Sequence, residues 1–188
     1  MGDIRQPNPV QLFCGVIFSR NIDLKTVRVE LEEAFGPIDF ESEIIPFDFT
    51  DYYQAEMGAG LNRVFYAFEK LVTPDKIVDA KLLTNNIELK ITDELHGAGV
   101  SSDGTGRMVN LDPGYVDTPK MVLASTKDFF HRIYLQKGIY AEITLYFKKP
   151  SYEPFPWTYP DYRTEKYIAF FNELRTRFRK KLEAVKYR

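Results

Sequence analysis

The chain has 188 residues, of which 44% are apolar and 28% charged, the proportions of an ordinary globule, which exclude a disordered or fibrous protein. No run reaches the ~18 consecutive apolar residues of a bilayer span, and residues 1–9 lack the charged-then-apolar layout of a secretion signal. A formal charge of −2 gives no reason to expect nucleic acid or an anionic membrane as partner, and a lone cysteine, Cys14, leaves no intrachain disulfide and no cysteine-based zinc site.

The expectation is therefore a cytoplasmic protein folded as a single domain over residues 1–188. Residues 10–18 are almost continuously apolar, β-branched and aromatic, as in a strand buried on both faces. Asp23 can cap a helix in which Leu24, Val27, Leu31 and Phe35 recur at helical spacing until Gly36-Pro37 stops it. Residues 38–49 alternate loosely around Pro46 and read as an extended edge segment. Residues 62–71 read as a further strand. Thr73-Pro74-Asp75 opens a long helix carrying Ile77, Leu83, Ile87, Ile91 and Leu95, although residues 87–91 also alternate with period two.

Residues 97–106 contain four glycines and no apolar periodicity, the mark of a mobile loop. Beyond it, residues 107–111 suggest a short strand stopped by the turn chemistry of Asp112-Pro113-Gly114, and Thr118-Pro119 a short helix over residues 120–125. Residues 131–135 and 139–147 read as a hairpin. Its second strand is expected to turn Ile139, Ala141, Ile143, Leu145 and Phe147 to the core and Tyr140, Glu142, Thr144 and Tyr146 to a polar face. Four prolines in residues 149–160 keep that segment out of the middle of a sheet, wrapping it over the surface. The C-terminal stretch, 163–186, is an amphipathic helix with Tyr167, Phe171, Leu174, Phe178 and Leu182 along one stripe. The fold class is α+β: a ferredoxin-like β-α-β-β-α-β sandwich extended by a β-hairpin and a C-terminal amphipathic helix, with a doubly wound parallel sheet as the alternative.

The densest group of chemically able residues is Asn110, Asp112, Lys120, Lys127, His131, Arg132 and Glu142. Asn110 and Asp112 share one face of a strand, and cations beside a carboxylate suit an anionic ligand, with Asp112 or Glu142 taking a hydroxyl or Mg²⁺. The competing reading is turn chemistry and solvated charge. His131 would need Asp112 or Asp128 beside it to act as a general acid or base; otherwise it is a structural strand-end histidine. His131 with Asp128 lacks a third ligand, so no built-in metal is expected.

Asp103-Gly104-Thr105-Gly106 and Thr126-Lys127-Asp128 have the outline of GTPase motifs, yet no Gly-x-x-x-x-Gly-Lys-Ser/Thr run exists to cradle phosphates. The stretch from Phe47 to Tyr53 could form a lip that stacks a planar ligand and binds a cation, or could pack inward with Asp51 as a helix cap. Trp157 is expected to plug the core edge and Asp161 to cap the last helix. Residues 163–188 hold nine Lys or Arg against three Glu, and the remainder 16 against 24. That basic helix either offers a nucleic-acid face through Arg175, Arg177, Arg179, Lys180 and Lys181 or pairs with the acidic body, and the second is favoured.

The stretches 47–53, 110–115 (Asn-Leu-Asp-Pro-Gly-Tyr), 123–135, 139–145 and 156–162 (Pro-Trp-Thr-Tyr-Pro-Asp-Tyr) together resemble an uncharacterised prokaryotic family of unknown function. The resemblance covers nearly the whole chain. It implies a free-standing domain, some of whose relatives carry the label "GTP-binding protein", and it supplies no catalytic residues and no cofactor. Two functions stay open: a site for a small anionic ligand, nucleotide or other phosphorylated compound, with or without catalysis, and a non-catalytic module binding a protein partner or a second copy of itself.

Overall fold

The structure, a computed structural model, describes residues 2–50, 53–97 and 106–186. Strand β1 (Val10–Phe18) is buried along its whole length. Helix α1 (Leu24–Phe35) follows, its first turn capped by the Asp23 carboxylate, which accepts from the Lys25 N–H. The edge segment divides into β2 (Ile38–Glu41) and the two-residue β3 (Ile45–Pro46), then a short helix α2 (Gln54–Met57) leads to β4 (Asn62–Val72). Helix α3 (Lys76–Gly97) is continuous through residues 87–91, where Ile87, Glu88 and Ile91 are buried at helical spacing. Most of the glycine-rich loop, residues 98–105, and Asp51 lie outside the described residues.

The second half departs further from expectation. Strand β5 (Val109–Val116) runs straight through Asp112-Pro113-Gly114, which is therefore no turn, and β6 (Lys120–Ser125) stands where a helix was expected. Strand pairing overrides the Thr-Pro start signal here, because Met121, Val122, Leu123 and Ala124 are all buried between β5 and its other neighbour. Strands β7 (Ile133–Gln136) and β8 (Ile139–Lys148) form the hairpin, turning through Lys137 and Gly138, both at positive φ. A register shift in the β6–β8 pairing splits the expected faces of β8: Ile139 and Leu145 are buried as expected but in different clusters, Ile143 is exposed, and Glu142 and Thr144, expected on the polar face, are buried. The proline-rich segment contributes β9 (Ser151–Pro154) to the sheet before a 3₁₀ turn, Asp161–Arg163, and helix α4 (Glu165–Lys186).

Among the described residues, all nine strands join one sheet of order β2-β4-β1-β5-β6-β8-β7, with β3 also on β4 and β9 also on β8. Every pairing is antiparallel, which sets aside the doubly wound parallel alternative. The fold is mixed α+β. Alternate residues of β1 serve opposite faces. Leu12, Cys14, Val16 and Phe18 meet Val27 and Leu31 of α1 and Ile87 and Ile91 of α3. Phe13, with Phe65 of β4, meets Tyr167, Phe171, Leu174 and Phe178 of α4. Among the described residues no helix is long and apolar enough to cross a membrane.

Candidate functional site

Strands β5 and β6 stay together for only three positions, ending at Gly114 opposite Leu123, while β5 keeps pairing with β1 as far as Val109. Residues 109–113 thus present a free edge whose backbone groups need partners. Two side chains of α3 supply them: the Leu111 N–H donates to Glu88 Oε1 (2.6 Å), and its carbonyl accepts from Lys81 Nζ (2.9 Å). Alternation along an antiparallel strand turns the Pro113 nitrogen to this same edge, where the N–H that proline lacks has no strand to serve.

Where the strands part, a cavity of about 610 Å³ opens. One wall is β5, with Asn110 and Asp112; the opposite wall is the end of β6 with Ser125, Thr126 and Lys127, and Glu142 of β8. Phe47, Phe49 and Tyr53 close it from the segment before β4, and Tyr159 to Tyr162 from the turn before α4. Among the described residues five cations, Arg63, Lys81, Arg107, Lys127 and Arg132, face three carboxylates, Asp112, Glu142 and Asp161.

Arg63 anchors the floor. Only 2% of it is exposed, and its guanidinium spans Asp112 (3.4 Å) and Asp161 (3.3 Å) while lying over the rings of Phe47, Phe65 and Tyr162. The room for it comes from Gly15 on β1, because any Cβ there would collide with Arg63 Nη1. Burial works against its charge, but Tyr162, Tyr167, Asp112 and Asp161 more than offset that, and Arg63 stays protonated. Burial raises Asp161 above the ordinary carboxylate range, opposed by Arg63. Glu88 is raised by burial too, against Lys81, the Leu111 N–H and Arg107. Arg107 bridges Glu56, Glu88 and Asn110 Oδ1, and Asn110 passes its own amide N–H to Asp112 (2.9 Å), making one chain of charge-assisted contacts along β5.

Across the cavity Glu142 accepts from Arg132 Nε (2.8 Å) and Thr144 Oγ1 (3.1 Å), with His131 Nε2 at 3.1 Å. The partner of His131 is therefore Glu142, not Asp112 or Asp128. Its ring stacks on Trp157, which continues onto Phe155. Trp157 is half-buried and its indole N–H donates to the Ile143 carbonyl, so it braces β8 rather than plugging the core. Asp161 does not cap α4 by its side chain; Thr164 Oγ1 accepts from the Tyr167 N–H instead.

Of the seven residues singled out from the sequence, Asn110, Asp112, Lys127, Arg132 and Glu142 line the cavity. His131 stands behind it, in an adjoining hollow. Lys120 does not belong with them: it sits at the opposite end of β6, bound to Asp117 three residues earlier. Sequence reasoning missed Arg63, Lys81, Arg107 and Asp161. A signal existed for two of them: Arg63 is a charge at the head of the apolar run 64–68, and Lys81, Thr84 and Glu88 put a polar stripe on the buried face of α3. Among the described residues no group of three or more His, Cys, Asp or Glu could hold a metal ion.

These features define a mixed α+β protein with a charged cavity at the split of an antiparallel sheet. A family model described as a domain of unknown function (DUF4416) matches residues 8–178, and the chain belongs to that family. Comparison with curated proteins and with solved structures gives no match.

Proposed function

We propose that the cavity at the β5–β6 split binds a small anionic ligand that also carries hydroxyl groups, a sugar phosphate or a nucleotide. The observation behind this reading is the lining: among the described residues it holds five cations, Arg107 being answered also by Glu56 and Glu88 behind the wall, and three carboxylates, and Asn85, Asn110, Ser125 and Thr126 add neutral hydrogen-bonding groups. Cations fixed in a recess attract phosphate or carboxylate, while carboxylates accept from hydroxyls. The strand order β2-β4-β1-β5, with α1 and α3 on one face, supports a ferredoxin-like sandwich as the frame, extended by β6 to β9 and α4.

Thermal-shift screening with nucleotides and sugar phosphates tests the site. A ligand present at ten times its Kd stabilises by about 1.4 kcal/mol, a rise of roughly 3–6 °C in Tm for a chain of this size. Lys127→Glu, at the exposed rim, should abolish that rise, read against the variant's own ligand-free Tm. No shift with any member of the panel at millimolar concentration would remove this reading.

A second reading, self-association, is favoured by β7. It is the terminal strand of the sheet, and Ile133, Tyr134 and Leu135 are consecutively exposed along it. Such an edge is a template for antiparallel pairing with its own copy about a two-fold axis. Sedimentation should then give a dimer that Leu135→Lys converts to a monomer; a monomeric native chain would rule it out.

A further inference from the structure

A second hollow, about 500 Å³, adjoins the cavity. Lys127, Arg132 and Tyr159 line both spaces. Arg132 forms the bar between them, donating through Nη2 to the Tyr159 hydroxyl (2.5 Å) and through Nη1 to the Lys127 carbonyl (3.0 Å). The two sides of this bar differ in chemistry. The cavity side is ionic. The hollow is ringed mainly by Phe129, Phe130, His131, Trp157 and Tyr159, with one carboxylate, Asp128, and Phe129 and Phe130 are 59% and 80% exposed.

Phe130 stands perpendicular to Trp157, at 89° with ring centroids 6.4 Å apart. The Trp157 plane is fixed by its hydrogen bond to Ile143 and by stacking on Phe155 at 4.7 Å and on His131 at 5.6 Å. With both faces of Trp157 covered by Phe155 and His131, the open ring face is that of the solvent-exposed Phe130, on which a planar group can stack beside the Trp157 edge.

Resting on the anion-site reading, we propose that the hollow is a second subsite of the same site, so that the ligand is bipartite: an anionic head in the cavity and a planar aromatic group on the exposed face of Phe130, beside the edge of Trp157. The occupant follows from continuity and charge. The shared wall carries two cations, Lys127 and Arg132, the latter paired with Glu142, against the single carboxylate of the hollow, Asp128, so a group that reaches the hollow across the bar is best held when it is attached to a negative group. A nucleoside phosphate has this form, and a simple sugar phosphate has only its first half.

Trp157 is the only tryptophan of the chain, so its fluorescence reports on the hollow directly. Adenosine 5′-monophosphate, ribose 5-phosphate and adenosine serve as probes, titrated against the native chain and Phe130→Ala, with fluorescence and calorimetry read in parallel. Stacking should make the nucleotide bind at least tenfold tighter than ribose 5-phosphate and change the Trp157 emission, which ribose 5-phosphate leaves unaltered. Phe130→Ala should remove most of that tenfold advantage and spare the sugar phosphate; at 80% exposure the substitution does not threaten the fold. Equal affinity for nucleotide and sugar phosphate, unaffected by Phe130→Ala, would overturn the second subsite and leave the anion site standing. Adenosine binding as tightly as its monophosphate would overturn the link between the two spaces. No binding of either phosphate would overturn both readings together.

Discussion

Arg63 and Gly15 illustrate how one charged side chain is made tolerable inside a sheet. A guanidinium at 2% exposure survives because two carboxylates and three rings answer it, and removing it strands Asp161 in the interior. Arg63→Met should therefore destabilise by about 3–5 kcal/mol, and Gly15→Ala, which displaces the guanidinium without deleting it, by about 2–4 kcal/mol in urea denaturation. Asp161 adds a pH signature. Its carboxyl titrates above the ordinary value of 3.8 because burial disfavours its charge. Just above pH 3.8 the native chain retains a proton that the unfolded chain has released, so this group's contribution to stability falls as pH rises to the folded value and grows as pH is lowered through it. Asp161→Asn should remove that component: the native-minus-variant difference in unfolding free energy should change with pH above 3.8 and level off past the folded value. A difference independent of pH across that window would contradict the assignment. None of this was legible from Arg63 alone, since a charge at the head of an apolar run does not say which distant acids will meet it; Asp112 lies 49 residues away and Asp161 98.

At the scale of elements, the informative feature is where strand pairing stops. Glu88 and Lys81 hold the Leu111 N–H and carbonyl that β6 leaves open, so α3 completes a sheet edge while opening a cavity beside it. Glu88→Ala would leave a buried N–H without its acceptor and free Arg107 on one side, a loss of about 2–4 kcal/mol. Native-state hydrogen exchange should localise the change: the Leu111 amide loses protection, while Tyr115, inside the three-position β5–β6 ladder, keeps it. Uniform loss at both amides would mean that Glu88 supports the fold generally rather than that edge. The strands β1 and β4 and the helices α1, α3 and α4 were readable because a long apolar period dominates any local signal. The misreadings were local signals that tertiary pairing overrode. Asp112-Pro113-Gly114 has turn composition but sits in a strand whose proline faces the unpaired edge, and Thr118-Pro119 precedes a strand because β5 and β8 flank it on both sides. On β8 the alternation placed Ile139 and Leu145 in the core correctly, but a register shift against β6, invisible from one strand's letters, sends them to different clusters, exposes Ile143 and buries Glu142 and Thr144.

For the whole molecule, the two cores lie on opposite faces of one sheet and share its strands. Phe13 belongs to the α4 side and its neighbours Leu12 and Cys14 to the α1–α3 side, so neither face can lose its strand without disrupting the other. The basic helix α4 is tied to this frame by charge as well as by apolar contact: Lys181 pairs with Asp39 of β2, Lys166 with Glu43, and Arg175 and Arg177 lie over Phe147 and Phe40. This arrangement predicts one cooperative unit despite two separate clusters. Leu31→Ala on the α1 side and Leu174→Ala on the α4 side, both fully buried, should each cost about 2–5 kcal/mol. Being far apart in the core, their costs should add in the double variant to within about 0.5 kcal/mol. The decisive measurement is the coincidence of probes. Far-ultraviolet dichroism reports all helices, whereas the fluorescence of Trp157 reports the β8 side; in a single unit both follow the same denaturation curve in the native chain and in each variant. If Leu174→Ala instead shifted the fluorescence midpoint alone, leaving a dichroism transition at the native position, the α1–α3 layer would be an independently folding body and residues 1–188 would not act as a single domain.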